Sequence, residues 1–287
     1  MLPLLKSLQA ELNPAGKKRS LLLRICVVFL PLLLFGFSPP QDENPRFFLQ
    51  DPMAIFGAGE HVDYRVHYGW ITAGEASMKV APRLQMHGSR VCFGMEVVGK
   101  TTGAFDKVLR IRDTWGTLFD TASNMPQKSY RMVEEGKYRR EEEVFFDQSN
   151  QNAHVETKDK DDKDFKIPTG VQDIVSGFYY LRLVDYSRLK VGDILKMDAF
   201  NDGELFKFNV VYRGKDKIKT SFGKANVIVL SPIMPKNSLF DGENSIKFYI
   251  SDDKNKIPLK IRAEMFVGAV ELDIKGYGNL RAPINFN

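Results

Sequence analysis

The chain has 287 residues, with 41 Lys and Arg against 36 Asp and Glu, a formal charge of +5 and a pI near 9.0. Residues 1–38 hold Lys6, Lys17, Lys18, Arg19 and Arg24 against Glu11, so the remainder carries only +1 and the case for a nucleic-acid partner disappears. Cys92 is the one cysteine outside that segment, which excludes a disulfide within residues 39–287.

Lys17-Lys18-Arg19 precedes an apolar run from Leu21 to Phe37 that ends at Ser38-Pro39-Pro40. A cationic start, an apolar stretch and a polar exit are the parts of a secretory signal. The run is shorter than the ~20 residues of a full span and contains Arg24 and Pro31. Gly36-Phe37-Ser38 offers small residues for cleavage, but Pro39 follows, so residues 1–38 read as a signal peptide or an N-terminal anchor. In either form the folded part faces outward, because the positive residues stay inside. An uncleaved leader would touch the membrane through residues 21–37. Residues 39–55 are polar and proline-punctuated and read as a linker before a single β-rich domain over 56–287.

From His61 the pattern alternates, with Val62, Tyr64, Val66 and Tyr68 on one face, which predicts a half-solvated antiparallel strand. Trp70 to Val80 is a second strand rich in small residues. Arg90–Val98, Phe105–Trp115, Lys128–Val133, Tyr138–Phe146 and Ala153–Thr157 follow, with a hairpin turn at Glu134-Glu135-Gly136-Lys137 and no helical period. Lys158 to Asp164 alternates lysines with aspartates and lacks the glycine and distal acid of a calcium loop, so a solvated loop is expected.

One helix is predicted near Gln172 to Tyr186, opened by a capping box of Thr169 with Gln172. Strands resume at Ile194–Phe200 and Leu205–Tyr212 around an Asn201-Asp202-Gly203 turn, then at Lys217–Phe222, Ala225–Ser231, Ser245–Ser251, Leu259–Val267 and Ala269–Tyr277. The fold class is mostly β: a curved antiparallel sheet, open barrel or sandwich, with one packed helix.

The chemistry is sparse. Four scattered histidines have no metal spacing, and no nucleophile elbow, phosphate loop or dinucleotide fingerprint is present. The residues therefore point to no catalytic group, cofactor or metal. Asp173 and Ser176 either cap the helix or face a ligand, and Asp252 and Asp253 either build a hairpin turn or contribute to a site. Phe56-Gly57-Ala58-Gly59-Glu60 with Tyr64, Tyr68-Gly69 and Ala73-Gly74-Glu75-Ala76 resembles the start of a bacterial exported family, domain of unknown function 3108. Gln172-Asp173 through Ser176, Tyr179 and Leu181-Arg182, then Ser251-Asp252-Asp253 with Ile257-Pro258, are similar to its middle and end. Tyr249 departs from the tryptophan often found before the last of these. The resemblance implies an antiparallel β protein of the Gram-negative periplasm or envelope, free or anchored to the inner membrane, with no catalytic residues to carry over. It adds Tyr179 and Arg182 to the candidate ligand residues. Three functions stay open: binding or carrying a lipid or other amphiphile, assembling with an envelope protein, or acting on a glycan through two facing carboxylates.

Overall fold

A computed structural model describes residues 48–233, 244–265 and 268–286. The chain divides into two units, residues 1–46 and 47–287. The leader and its cleavage site fall in the first, outside the described residues.

The second unit opens with helix α1 (Pro52–Ile55), then β1 (His61–Tyr68), β2 (Ile71–Val80), β3 (Gln85–His87) and β4 (Arg90–Thr101). A short helix α2 (Gly103–Val108) leads to β5 (Ile111–Asp120), β6 (Pro126–Glu135), β7 (Tyr138–Asp147), β8 (Asn152–Thr157) and β9 (Lys163–Lys166). Helix α3 (Ile174–Leu183) separates these from β10 (Ile194–Leu195), β11 (Asp198–Asn201), β12 (Glu204–Lys207), β13 (Val210–Thr220), β14 (Gly223–Pro232), β15 (Ile246–Ser251), β16 (Pro258–Glu264) and β17 (Ala269–Gly278). The segment read as linker thus enters the fold at Leu49, which bridges to Val184, and buries Ile55.

Fifteen strands form one antiparallel sheet in the order β10-β13-β14-β15-β16-β17-β1-β2-β4-β5-β6-β7-β8-β9, with β3 beside β4. The sheet is open, and β11 and β12 form a separate hairpin. Curvature follows from what α3 touches. Asp173 at its start bonds Thr117 on β5, and Phe178 packs on Phe248 of β15 at 5.2 Å between rings. These two residues rise only about 7.5 Å along the axis. On a flat sheet β5 and β15, six steps apart, would be about 29 Å from each other. The sheet therefore wraps around the helix, an open barrel rather than a sandwich.

Two large apolar clusters make up most of the core. One joins Phe56, Tyr64, Phe93, Phe119, Tyr179 and Leu259; the other joins Leu181, Tyr212, Leu230, Phe248 and Ile250. Strand β14 serves both, with Val227 and Val229 in the first and Ile228 and Leu230 in the second. That explains its unbroken apolar run, since burial on both faces removes any need for polar alternation.

Several local predictions are corrected. The helix is capped by Asp173, not opened at Thr169, and runs to Leu183, not to Tyr186, because Val184 leaves it to pair with Leu49. Helices at 52–55 and 103–108 are too short to show a period. The Lys217 strand starts at Val210 and continues through Gly214, whose φ of +97° accommodates a register shift that alternation alone does not reveal. Part of the mixed-charge run, with Phe165, forms edge strand β9. Asp202-Gly203, both at positive φ, make the hairpin turn as expected.

Candidate functional site

Two places on the wrapped face hold polar or open structure. The first is a buried hub that gathers the three segments singled out by the sequence. Asp173 caps α3: its Oδ1 accepts from the N–H groups of Val175 (2.7 Å) and Ser176 (2.9 Å), and its Oδ2 accepts from Thr117 Oγ1 (2.6 Å). Ser176 Oγ accepts from the Asp173 N–H at 2.8 Å, completing a capping box. Burial pushes the Asp173 carboxyl up, while the Thr117 and Ser176 hydrogen bonds pull it down.

Tyr179 and Arg182 leave α3 toward β1. Tyr179 donates its hydroxyl to the Lys79 carbonyl at 3.1 Å. Arg182 is 2% exposed and grips Glu60, also 2% exposed, through two bonds of 2.6 and 3.1 Å. Its Nε donates to the Asn255 carbonyl at 3.0 Å, and its guanidinium lies 5.0 Å from the Phe56 ring and 5.3 Å from that of Tyr179. Burial disfavours the Arg182 charge, but Glu60 outweighs it and holds the group above its ordinary range. Glu60 is positioned by the turn after Phe56, where Gly57 donates to Glu60 Oε2 at 3.3 Å.

Asn255 is presented by the β15–β16 loop. Asp253 Oδ1 accepts from Ser251 Oγ (2.9 Å), Asn255 N (2.8 Å) and Lys256 N (3.2 Å), while the Asn255 side chain exchanges two bonds with the Ala282 backbone. Of the six sequence candidates, Asp173, Ser176, Tyr179 and Arg182 share α3, and Asp253 reaches them through Asn255. Asp252 points elsewhere, to Lys215 at 2.8 Å. The hub is chemically saturated, so holding an anion there would require breaking the Arg182–Glu60 pair.

The second place was not singled out from the sequence. On strand after strand, inward side chains are buried near α3 and half-exposed toward the other end. Tyr64 gives way to Val66, Met78 to Ala76, Met95 to Val97 and Gly99, Ile274 to Leu272, and Leu259 to Ile261. The register keeps them on one face: Val66 faces Leu272 and Gly74, and Leu272 faces Ile261. Helix α3 covers only part of the trough and leaves an open apolar floor. A Cβ built on Gly99 meets nothing within 4 Å, so there is free space above it. The small-residue content of β2 was the available signal: Ala76 is only partly buried on the floor, while Gly74 is buried because the Lys100 carbonyl lies where its Cβ would be.

A charged wall flanks this floor. Arg131, 3% exposed, pairs with Glu142 and Asp202 at 2.7 Å each and lies 5.3 Å from the Trp115 ring. Its Nε has no hydrogen-bond partner among the described residues. The recess beside it, bounded by Trp115, Glu142 and Asp202, has a volume of about 20 Å³. That is room for about one water and far below a drug-sized ligand site. Nearby, Asp113 and Glu135 are both buried on β5 and β6. Burial, then Glu135, raises the Asp113 carboxyl to about 6.

Residues 63–275 match the family model described as protein of unknown function, DUF3108. The chain belongs to this family. No curated protein matches this chain. Among solved structures, the chain is similar to a β-barrel-like protein of domain of unknown function DUF1849 from Brucella abortus. That match has 8% identity and a TM-score of 0.53, and covers 78% of this chain and 99% of the other, which shows a shared fold alone. A DUF1089 family protein from Pseudomonas aeruginosa matches at 12% identity and a TM-score of 0.35, covering 67% and 90% of the two chains. Mycobacterium tuberculosis lipoprotein LppX matches at 12% identity and a TM-score of 0.22, covering 80% and 90%. Neither of these two likenesses is high enough to carry an argument. Among the described residues, no helix is long and apolar enough to cross a membrane.

Proposed function

We propose that this DUF3108 protein is exported to the Gram-negative envelope and binds the apolar part of an amphiphilic molecule, such as a lipid, in the open half of its trough. The observation that carries this reading is the shared burial gradient on β1, β2, β4, β16 and β17, which leaves an apolar floor beyond α3. Each methylene withdrawn from water onto such a floor is worth about 0.8 kcal/mol, so a short acyl segment suffices to offset the association cost. The Arg131–Glu142 wall would sit beside the polar part of the ligand. The hub at Arg182 serves this function indirectly, by fixing α3 and so setting how much of the trough stays open. Asp113 and Glu135 are side by side on adjacent strands instead of facing across a cleft, which gives little support to glycan hydrolysis.

The test fills the floor. Gly99→Trp adds a ring where a Cβ meets no neighbour, so it should occupy the trough at small cost to folding. Binding of a fluorescent polyene fatty acid to the full chain should fall at least about tenfold in Gly99→Trp, with little change in melting temperature. Native mass spectrometry of the gently purified protein should show a bound amphiphile. If wild type and Gly99→Trp take up the fatty acid equally, the trough is not the site.

A further inference from the structure

The loops at the open end of the trough combine exposed apolar side chains with cations. Strand directions place the β1–β2 turn, the α2 connection and the β6–β7 turn together at this end. Trp70 in the first turn is 90% exposed and Val108 in α2 is 87% exposed, with Ile71 and Leu109 also on the surface. The α2 connection is held firmly while it displays them. Arg112 grips Asp106 through bonds of 2.7 and 3.1 Å, Thr101 Oγ1 donates to Asp106 at 2.7 Å, and the Ile111 N–H donates to Thr101 Oγ1 at 2.9 Å. Its neighbour is the β6–β7 turn, where the Gly136 N–H donates to the Arg110 carbonyl at 2.8 Å. A valine is thus held in water by a well-bonded loop, at the same end as an indole that is almost fully exposed.

Cations surround them. Lys107, Arg110 and Lys137 are exposed and form no ion pair within 4 Å among the described residues. The acids nearby are already taken: Asp106 by Arg112, Glu134 by Arg139 at 3.7 Å, and Glu75 by Lys100 and Lys275. The mixed-charge loop at residues 158–162 lies at the same end but two strands further along, and its charges balance to within one. Separate protruding tips offer little of the ~800 Å² per partner that a stable protein interface needs. An indole with aliphatic side chains among free cations fits the boundary of an anionic bilayer, where aromatic rings settle at headgroup level and Lys and Arg reach the phosphates.

We infer that the rim carrying Trp70, Val108 and Leu109 docks on an anionic lipid surface. The trough mouth would then face the bilayer, so the rim names the source from which the ligand enters. Only this last step rests on the trough reading.

The test uses the full chain with vesicles of phosphatidylglycerol mixed into phosphatidylcholine, against phosphatidylcholine alone. Subtracting the spectrum of Trp70→Phe isolates Trp70 from Trp115, the other tryptophan. Expected is a blue shift of Trp70 emission and quenching by brominated acyl chains on the anionic vesicles. The variant Lys107→Gln with Arg110→Gln and Lys137→Gln keeps the leader and should lose about fivefold in vesicle affinity per cation, about a hundredfold in total, without a change in melting temperature. Trp70 that stays open to iodide on both vesicles would overturn the proposal. So would equal quenching on both, or Trp70 shielded before any lipid is added, which would mark a protein interface. The fatty-acid assay with Gly99→Trp reads the trough separately, so either reading can fail alone.

Discussion

Breaking the Arg182–Glu60 pair from one side should be among the most damaging single changes available in this protein. Both side chains are 2% exposed, and Arg182 has five engagements: two bonds to Glu60, one to the Asn255 carbonyl and cation–π contacts with Phe56 and Tyr179. Arg182→Met keeps most of the stem volume but strands a buried carboxylate and an Asn255 carbonyl. Removing one member of such a pair costs about 3–5 kcal/mol. For a domain of this size that corresponds to a loss of about 6–20 °C in Tm. Glu60→Leu should cost a similar amount by stranding the guanidinium. Their combination removes both charges and should recover at least about 2 kcal/mol relative to the sum of the single changes. Urea unfolding of the four proteins, followed by tyrosine and tryptophan fluorescence, measures the cycle. Single variants that lose less than about 1 kcal/mol, or a coupling near zero, would refute the view that the hub is a clamp.

Three further outcomes follow from particular contacts. Gly57→Ala places a Cβ 1.9 Å from the Asn279 carbonyl oxygen, a backbone atom that cannot swing away, so a loss of about 2 kcal/mol or more is expected in the same unfolding assay. Asp173→Ala removes the α3 cap and the Thr117 bond and should cost about 1–2 kcal/mol, while Asp173→Asn, which can still accept, should cost less. Asp113, raised to about 6 by burial and then by Glu135, is favoured in its protonated form by the fold. Its contribution is complete below the unfolded value near 4 and is lost as pH rises through about 6. Asp113→Asn should therefore gain on wild type as pH climbs from about 4 to about 8, read as the difference in melting temperature. A gap that is constant across that range would remove Asp113 as its source.

The strand framework was legible because half-buried antiparallel strands alternate, as Val62, Tyr64 and Val66 do. The type of each element was clearer than its limits. Thr169 and Asp173 both begin capping patterns; in the fold Thr169 is engaged by Gln148 and Gln151, while Asp173 caps α3 and accepts from Thr117 on a distant strand. Alternation also looks the same whether an inward residue meets α3 or water, so Tyr64 and Val66 could not be told apart and the open floor stayed hidden. The Arg182–Glu60 pair spans 122 positions, and nothing local in either segment announces the other. The family segments were nevertheless useful: they marked the three places that converge on the hub, although their side chains are spent on each other.

Strand β1 lies between β2 and β17, and its first residue, His61, pairs with Gly278. The first and last long strands of the domain are therefore neighbours in mid-sheet, more than 200 positions apart in the chain. No domain truncated before β17 can complete the core around Tyr64, and ribosomal order offers β1 one of its two partners only after more than 200 further residues. Such distant closure is slow to form and leaves sticky edges waiting. If the proposed export holds, the chain needs to stay unfolded until it has crossed its channel. A topology in which β17 locks β1 delays completion of the fold until β17 has emerged.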